Sequence, residues 1–507
     1  MFRPPRSVSP VRALAAQALS RAAGAPLVLD NRVRLLKDAG EHFPAMLAAV
    51  KAAERSILLE MYILSDDHVT RPFAEILAAK AREGVRVRIL YDWLGSINEA
   101  GQHFFRPLRD AGVEVRVFNP PRFDSPFGWL SRNHRKTLAV DGRIGFVTGL
   151  CLSARWEGDP SRNIEPWRDT GVEIQGPALA DLEEAFGATW AQAGPPLAPD
   201  DFTPRSDIEP AGDVPLRVVA SQPALAGLYR LDHLVAALAQ KSLWLTDAYF
   251  VGIPPYVQAL RSAAQDGVDV RLLVPGASDV PIISPMSRAG YRPLLEAGVR
   301  VFEWNGSMMH AKTAVADGRW ARVGSTNLNI QSWLGNWELD VAIEHEGFAR
   351  EMEASYEADL TRCTEIVLSR HWYGVRSAAN MARPGGRRWR TPGSSRAAAA
   401  GALRVGRWVS AAITSRRELG PPEASLMGTI GVALLLVSAI LVLFPEILTV
   451  PIAVLGAWIG IAALLKAWAL YRAGSVVLPE GRSSPLVEMA PLPEEPVRET
   501  PPIRTES

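Results

Sequence analysis

The sequence predicts an α/β fold built as two similar halves related by a pseudo-twofold axis, followed by a C-terminal transmembrane helical hairpin. Three observations carry this expectation. The phrase "NHRKTLAVDG" (133–142) returns as "MHAKTAVADG" (309–318), with the same His-x-Lys-Thr opening and Asp-Gly close. Three further phrases return in the same order: "SILLEMYIL" (56–64) as "SLWLTDAYFV" (242–251), "AAKAREGVRVRILYDWLGS" (78–96) as "LRSAAQDGVDVRLLVPGAS" (260–278), and "RPLRDAGVEVRVFN" (106–119) as "RPLLEAGVRVFEWN" (292–305). Ordered self-similarity of this kind marks a duplicated unit rather than generic composition. Finally, "LMGTIGVALLLVSAILVLF" (426–444) and "ILTVPIAVLGAWIGIAALL" (447–465) are uncharged runs of bilayer-spanning length, split by Pro445-Glu446.

Along the chain, residues 1–28 hold Arg and Ala without a continuous apolar stretch, and read as a short amphipathic helix or an unstructured arm rather than a signal peptide. Residues 29–195 form the first half and 214–370 the second. Each alternates β-branched runs with helical stretches ending at Gly, which predicts α/β layering on a largely parallel sheet. Residues 196–213, inside "AGPPLAPDDFTPRSDIEPAGD" (193–213), form a Pro- and Asp-rich linker. Residues 371–425 are a basic linker with an interfacial helix around "ALRVGRWVSAAITSRR". Residues 426–470 hold the two spans, and 471–507, rich in Pro and Glu, are a disordered tail.

Net charge is +1, unevenly spread: residues 371–420 carry ten Arg against Glu418 alone. The body before them is mildly acidic, which argues against a nucleic-acid footprint, while a basic block beside apolar spans suits an anionic membrane surface. Arg before the first span, with Lys466 and Arg472 after the second, places both flanks in the cytoplasm. The two cysteines, Cys151 and Cys363, make no disulfide framework or zinc spacing. Of the 55 basic residues only seven are Lys, and two of these follow the repeated histidines by two positions. Where Arg serves nearly everywhere, a retained ammonium implies a point charge with a specific task.

Side chains alternate across a strand, so His134 shares a face with Lys136, and His310 with Lys312. Asp141-Gly142 and Asp317-Gly318, set between apolar runs, are two-residue hairpin turns. If the halves meet about a twofold axis, both sets enter one cleft. Two ammoniums neutralise and hold a phosphodiester. One neutral imidazole attacks phosphorus, and a protonated one supplies the leaving alcohol with its proton. Acyl transfer would call for a nearby Ser or Cys nucleophile, and metal-dependent hydrolysis for clustered carboxylates or further histidines; neither is at the required spacing.

The paired His-x-Lys-x-x-x-x-Asp motifs, His134/Lys136/Asp141 and His310/Lys312/Asp317, resemble the signature of the phospholipase D superfamily. "VGSTNLNIQSWLGNWE" (323–338) is similar to that family's Gly-Ser-x-Asn and Asn-x-Glu continuation at Gly324, Ser325, Asn327, Asn336 and Glu338. "LLEMYILSDD" (58–67), "YFV" (249–251) and "PWRDTGVEIQGPALADLEEAF" (166–186) resemble the bacterial cardiolipin synthase branch, so the likeness spans about residues 30–370 but not the C-terminal spans. It implies two phospholipase D-like α/β/α sandwich halves and a metal-free, cofactor-free double displacement through a phosphohistidine.

By the same resemblance His134 is the nucleophile and His310 the proton donor, with the reverse left open by the pseudo-symmetry. Lys136, Lys312, Ser325 and Asn327 are implied to bind the phosphoryl oxygens, while Asp141 and Asp317 brace their hairpins. Aligning "WRDTGVEI" (167–174) with "WELDVAI" (337–343) sets Asp169 opposite Glu338, positions whose carboxylates orient the imidazoles in the family. The expected pairing is Asp169 with His134 and Glu338 with His310, a surface ion pair being the other reading of each. One departure stands out: "VTGLCLSARW" (147–156) carries Thr148 and Cys151 where many relatives have Gly and Asn, which implies leaner phosphate binding from the first half.

The expected function is phosphatidyl transfer of the cardiolipin synthase type at a bacterial inner membrane, on the cytoplasmic side. The expected substrate is phosphatidylglycerol, and no nucleic-acid partner is expected. A water-using phospholipase D is the alternative within the same fold. A nuclease is disfavoured by the acidic body, and a silent membrane scaffold by the two intact His-Lys sets.

Overall fold

The computed structural model describes residues 10–122, 130–223, 225–280 and 283–367, with scattered helical positions between 449 and 465. The linker, span and tail expected over 371–507 therefore lie almost wholly outside the described residues. Among the described residues no helix is long and apolar enough to cross a membrane.

In the first half the strands are β1 (Val28–Lys37), β2 (Ser56–Met61), β3 (Arg86–Asp92), β4 (Glu114–Phe118), β5 (Thr137–Val140), β6 (Ile144–Thr148) and β7 (Thr170–Gln175). The second half repeats them as β8 (Val214–Ser221), β9 (Ser242–Thr246), β10 (Asp269–Pro275), β11 (Arg300–Trp304), β12 (Thr313–Ala316), β13 (Trp320–Gly324) and β14 (Glu338–Ile343), and adds β15 (Cys363–Ile366). The helices are α1 (Pro10–Ala23), α2 (Asp38–Lys51), α3 (Thr70–Arg82), α4 (Trp93–Ser96), α5 (Gln102–Asp110), α6 (Leu179–Gln192), α7 (Gly227–Leu238), α8 (Pro254–Gln265), α9 (Ile283–Glu296) and α10 (Glu346–Leu360).

The fifteen strands among the described residues join one sheet in the order β15-β11-β10-β9-β12-β13-β14-β8-β1-β7-β6-β5-β2-β3-β4. Either side of the antiparallel β8–β1 pair the order reads as a mirror list, which is the pseudo-twofold relation in strand form. The largely parallel sheet expected from the sequence is corrected to a mixed one. Only β2-β3-β4 and β9-β10-β11 are parallel, and the other pairs run antiparallel. The physical reason is the hairpin. Asp141 (φ 58°) and Gly142 (φ 64°), like Asp317 (54°) and Gly318 (62°), take the two left-handed positions of a tight turn, which sends β6 and β13 back antiparallel.

Strands β2, β3, β9 and β10 are covered on both faces, as their unbroken apolar runs require. Ile57, Leu59, Val87 and Ile89 pack under α2, α3 and α5, whereas Leu58 and Leu90 join the opposite face with α6. In the second half Leu243, Leu245, Val270 and Leu272 pack under α7, α8 and α9. The core beneath α6 and α10 is continuous across both halves, from Leu35 and Phe186 to Val341 and Phe348. Each such buried apolar side chain contributes roughly 1.5–3 kcal/mol, so the two halves share a core rather than touching at a polar seam. Of the two readings of the N-terminal arm, the helix is observed: α1 packs on α7, and Arg217 donates to the Ala16 carbonyl and Ser20 Oγ.

Candidate active site

Both histidines precede a hairpin strand at the same edge of the sheet, where β2 and β9 end. The chain before each is paired to the other half: His134 N donates to Trp337 O (2.9 Å), and His310 N to Arg168 O (2.7 Å). These short parallel bridges bring His134, Lys136, His310 and Asn327 into one cleft of about 520 Å³, a volume ordinary for a small-molecule site.

The bridges also decide which carboxylate reaches which imidazole. His134 Nδ1 lies 2.9 Å from Glu338 Oε2, and His310 Nδ1 lies 2.6 Å from Asp169 Oδ2. The expected pairing of Asp169 with His134 and Glu338 with His310 is thus corrected to the crossed one. Alignment matches residues by homology, but the twofold packing sets the start of β7 beside β12 and the start of β14 beside β5. Each imidazole then offers Nδ1–H to a carboxylate of the opposite half, which leaves Nε2 to face the cleft.

Charge follows from burial. Burial alone would raise Asp169, but His310, Lys312 and the Trp156 Nε1–H bond (2.9 Å) outweigh it and hold the carboxyl well below the usual range. Burial likewise opposes ionisation of Glu338, yet His134, Lys136 and Ser325 Oγ–H (2.6 Å) keep it lowered. The imidazoles go the other way: burial, then the nearby Lys312, pushes His310 down to about 4, and burial lowers His134 against the pull of Glu338. Burial also brings Lys312 down to about 8 and lowers Lys136. Two buried ammoniums, Lys136 in the cleft lining and Lys312 beside His310, favour an anion there. Lys136 Nζ donates to the His134 carbonyl at 2.5 Å, and Lys312 Nζ lies 2.9 Å from His310 Nδ1 and 3.1 Å from its Nε2.

Asn327 lines the cleft, and its buried Oδ1 has no hydrogen-bond partner among the described residues. Ser325, expected at the phosphoryl oxygens, instead gives its hydroxyl to Glu338 and receives Leu339 N (3.0 Å). Asp141 and Asp317 stand away from the cleft. Asp141 accepts the N–H groups of Glu54, Arg55 and Ser56 (2.7–2.8 Å), and Asp317 those of Gln240, Lys241 and Ser242, so each ties its hairpin to the start of the neighbouring strand. Cys151 lines the cleft, with burial raising its thiol above the ordinary range.

Several site residues went unassigned in the sequence. Tyr62 stands edge-on to His134 (4.9 Å between ring centres) with Lys136 over its face, and Tyr249 stands likewise to His310 (5.7 Å) with Lys312 over its face. Trp156 and Trp167 complete an aromatic wall around His310. Asp92 accepts Asn133 N and pairs with Arg132, fixing the approach to His134. Asp247, pushed up to about 7 by burial, holds Leu328 N and Tyr249 N. The signal was present for the tyrosines alone, since both close the echoed phrases 56–64 and 242–251.

Comparison with known proteins agrees with this geometry. The family described as cardiolipin synthase, phospholipase D-like domain matches residues 46–190 and 235–360. Cardiolipin synthase A of Pseudomonas aeruginosa is 37% identical over 371 residues, covering 71% of this chain and 73% of that protein. Cardiolipin synthase of Alkalihalophilus pseudofirmus is 33% identical over 348 residues, covering 68% and 69%. Among solved structures, phosphatidylserine synthase of Haemophilus influenzae superposes with a TM-score of 0.56 at 14% identity, over 69% of this chain and 91% of that one, a likeness of fold.

Proposed function

Because the chain belongs to the phospholipase D-like family of cardiolipin synthases, we propose that it transfers a phosphatidyl group between two phosphatidylglycerol molecules through a phosphohistidine. The observation that carries the reading is the crossed pair: two imidazoles in one cleft, each with Nδ1 on a buried carboxylate of the opposite half and a buried lysine two residues on. His134 Nε2 attacks phosphorus and forms the P–N bond as the P–O bond to glycerol breaks. His310 Nε2–H gives its proton to the departing glycerol oxygen. The second phosphatidylglycerol then enters, and neutral His310 takes the proton from its headgroup hydroxyl. That oxygen attacks phosphorus, the P–N bond breaks, and cardiolipin leaves with both histidines restored. Atoms balance as two phosphatidylglycerol giving cardiolipin and glycerol.

Lys136 and Lys312 hold the non-bridging oxygens, with Asn327 beside them. Glu338 stabilises the positive phosphoimidazole, and Asp169 the imidazolium of His310. The bound anion offsets Lys312, one of the groups that lower His310, and so favours its protonated form. The reaction belongs at a bacterial inner membrane, with the body on the cytoplasmic side and the two apolar runs of 426–465 as its anchor.

The test is product analysis with labelled phosphatidylglycerol and protein purified in detergent. Cardiolipin plus glycerol supports transfer. Phosphatidic acid would replace this reading with hydrolysis, and no turnover of any phosphodiester would remove both.

A further inference from the structure

Single exposed Leu and Ile side chains are common on any protein surface, and only their grouping carries meaning. Here they group. Leu94, Ile97, Leu130, Val280, Ile330 and Leu334 are between 38% and 56% exposed. Leu94 and Ile97 lie in and beside α4, just past the end of β3. Val280 follows the matching end of β10. Leu130 precedes His134, and Ile330 and Leu334 belong to the turn after β13. β2, β3, β9 and β10 all end at this sheet edge, and β5 and β12 begin there, so every one of these loops stands at the edge that carries the catalytic histidines. Leu94, Ile97 and Val280 line the cleft itself, and Gln331 Nε2 donates to Leu130 O (3.3 Å), which joins the two halves at the rim.

The geometry points to this apolar collar as the face by which the catalytic body docks on a lipid bilayer, with the cleft opening directly into the headgroup layer. This deepens the reading given under the proposed function and rests on it for the identity of the substrate. Three features select a bilayer. Three collar residues line the cleft and three lie outside it, so apolar contact for acyl chains begins at the cleft wall, beside the polar groups Asn98, Glu99, Arg132, Arg155 and Asn329, and extends to the exposed collar. Lys136 and Arg132 line the cleft, and Lys312 lies 3.1 Å from His310 Nε2, cations that match the anionic phosphodiesters of such a surface. The collar draws on both halves and includes three residues of the cleft lining, so a protein seated on all six residues would cover the cleft. A bilayer touching the same six delivers substrate to it. Leu and Ile on short loops enter the headgroup boundary, which adds apolar attraction to the electrostatic one.

The test uses the full chain reconstituted in phosphatidylglycerol vesicles, in a Cys363→Ser background that leaves buried Cys151 in place. An environment-sensitive dye is placed at Ile97→Cys, at Ile330→Cys, or at the far end of the sheet at Leu238→Cys. Emission at 97 and 330 is expected to shift to the blue and to be quenched by lipids brominated near the glycerol, with no such change at 238. Rim emission that behaves like that at 238 overturns the proposal. Leu130→Glu and Ile330→Glu are each expected to lower kcat/KM on vesicles by at least about tenfold while turnover of a monomeric short-chain phosphatidylglycerol stays within about twofold. Equal losses on both substrates overturn it as well. Cardiolipin is assayed in the same vesicles: rim quenching without cardiolipin leaves the docking face standing and removes the reaction, and cardiolipin without rim quenching does the reverse.

Discussion

The two halves share a His-x-Lys-Thr hairpin but support their histidines by different means. Glu338, which serves His134, is held by Ser325 Oγ–H and by Asn336 Nδ2 (3.3 Å). Asp169, which serves His310, is held by Trp156 Nε1–H and by Thr170 N (2.8 Å). In the sequence alignment Gly149 stands where the second half has Ser325. A Cβ on Gly149 would lie 2.1 Å from Asp169 Oδ1, so the shorter carboxylate is accommodated by letting the backbone come close. Around His310 stand Trp156, Trp167 and Tyr249, whereas Tyr62 alone of the site's aromatic rings meets His134 among the described contacts. The motif is duplicated while its support has diverged, and the proposed division of the two imidazoles into nucleophile and acid draws on that difference.

Removing an imidazole has the largest expected effect. His134→Ala and His310→Ala are each expected to lower kcat on phosphatidylglycerol by about 10³-fold or more. They part company on a diester with a nitrophenol leaving group, which needs no proton. There His310→Ala keeps a stoichiometric burst of nitrophenol and His134→Ala shows none. Equal behaviour would erase the division of roles.

Next come the crossed carboxylates, where Glu338→Gln and Asp169→Asn are expected to lower kcat by about 10²–10⁴-fold. Glu338 raises the His134 pKa against its burial, so removing its charge lowers that pKa. The acid limb of the kcat profile, which tracks deprotonation of the nucleophile, then moves to lower pH in Glu338→Gln. Pairing within each half would place that shift in Asp169→Asn instead.

Gly149→Ala pushes a methyl group against a buried carboxylate, with an expected cost of about 1–3 kcal/mol of stability and loss of activity through displaced Asp169. Denaturant titration and kcat measured together test this, and a variant of normal stability and rate would show the close approach to be unimportant. Smallest is Asp141→Ala. It frees three backbone N–H groups at the start of β2, and is expected to cost about 1–3 kcal/mol in urea unfolding while the folded protein keeps its KM.

Much of this was legible because the repeat put chemistry at fixed offsets. The turns follow from Asp-Gly between apolar runs, whereas His134, Lys136, His310 and Lys312 lie just before β5 and β12 rather than on a strand as expected. The crossed carboxylates were not legible, because a pseudo-twofold alignment treats His134 with Asp169 and His134 with Glu338 as equally regular. Only the bridges Asn133–Trp337 and Arg168–Met309 decide between them. Ser325 reads as a phosphate ligand until Glu338 is placed beside it. Strand direction escaped for a similar reason, since β1, β7, β8 and β14 pair through contacts far apart in sequence.

The most direct test of the central claim, that His134 carries the phosphatidyl group and His310 moves the proton, is to find the covalent label. Protein mixed with phosphatidylglycerol labelled in its phosphate is quenched under alkaline conditions within one turnover, and its peptides are mapped. Label is expected on His134 and absent in His134→Ala. Label on His310, or none on either histidine while cardiolipin accumulates, would contradict it.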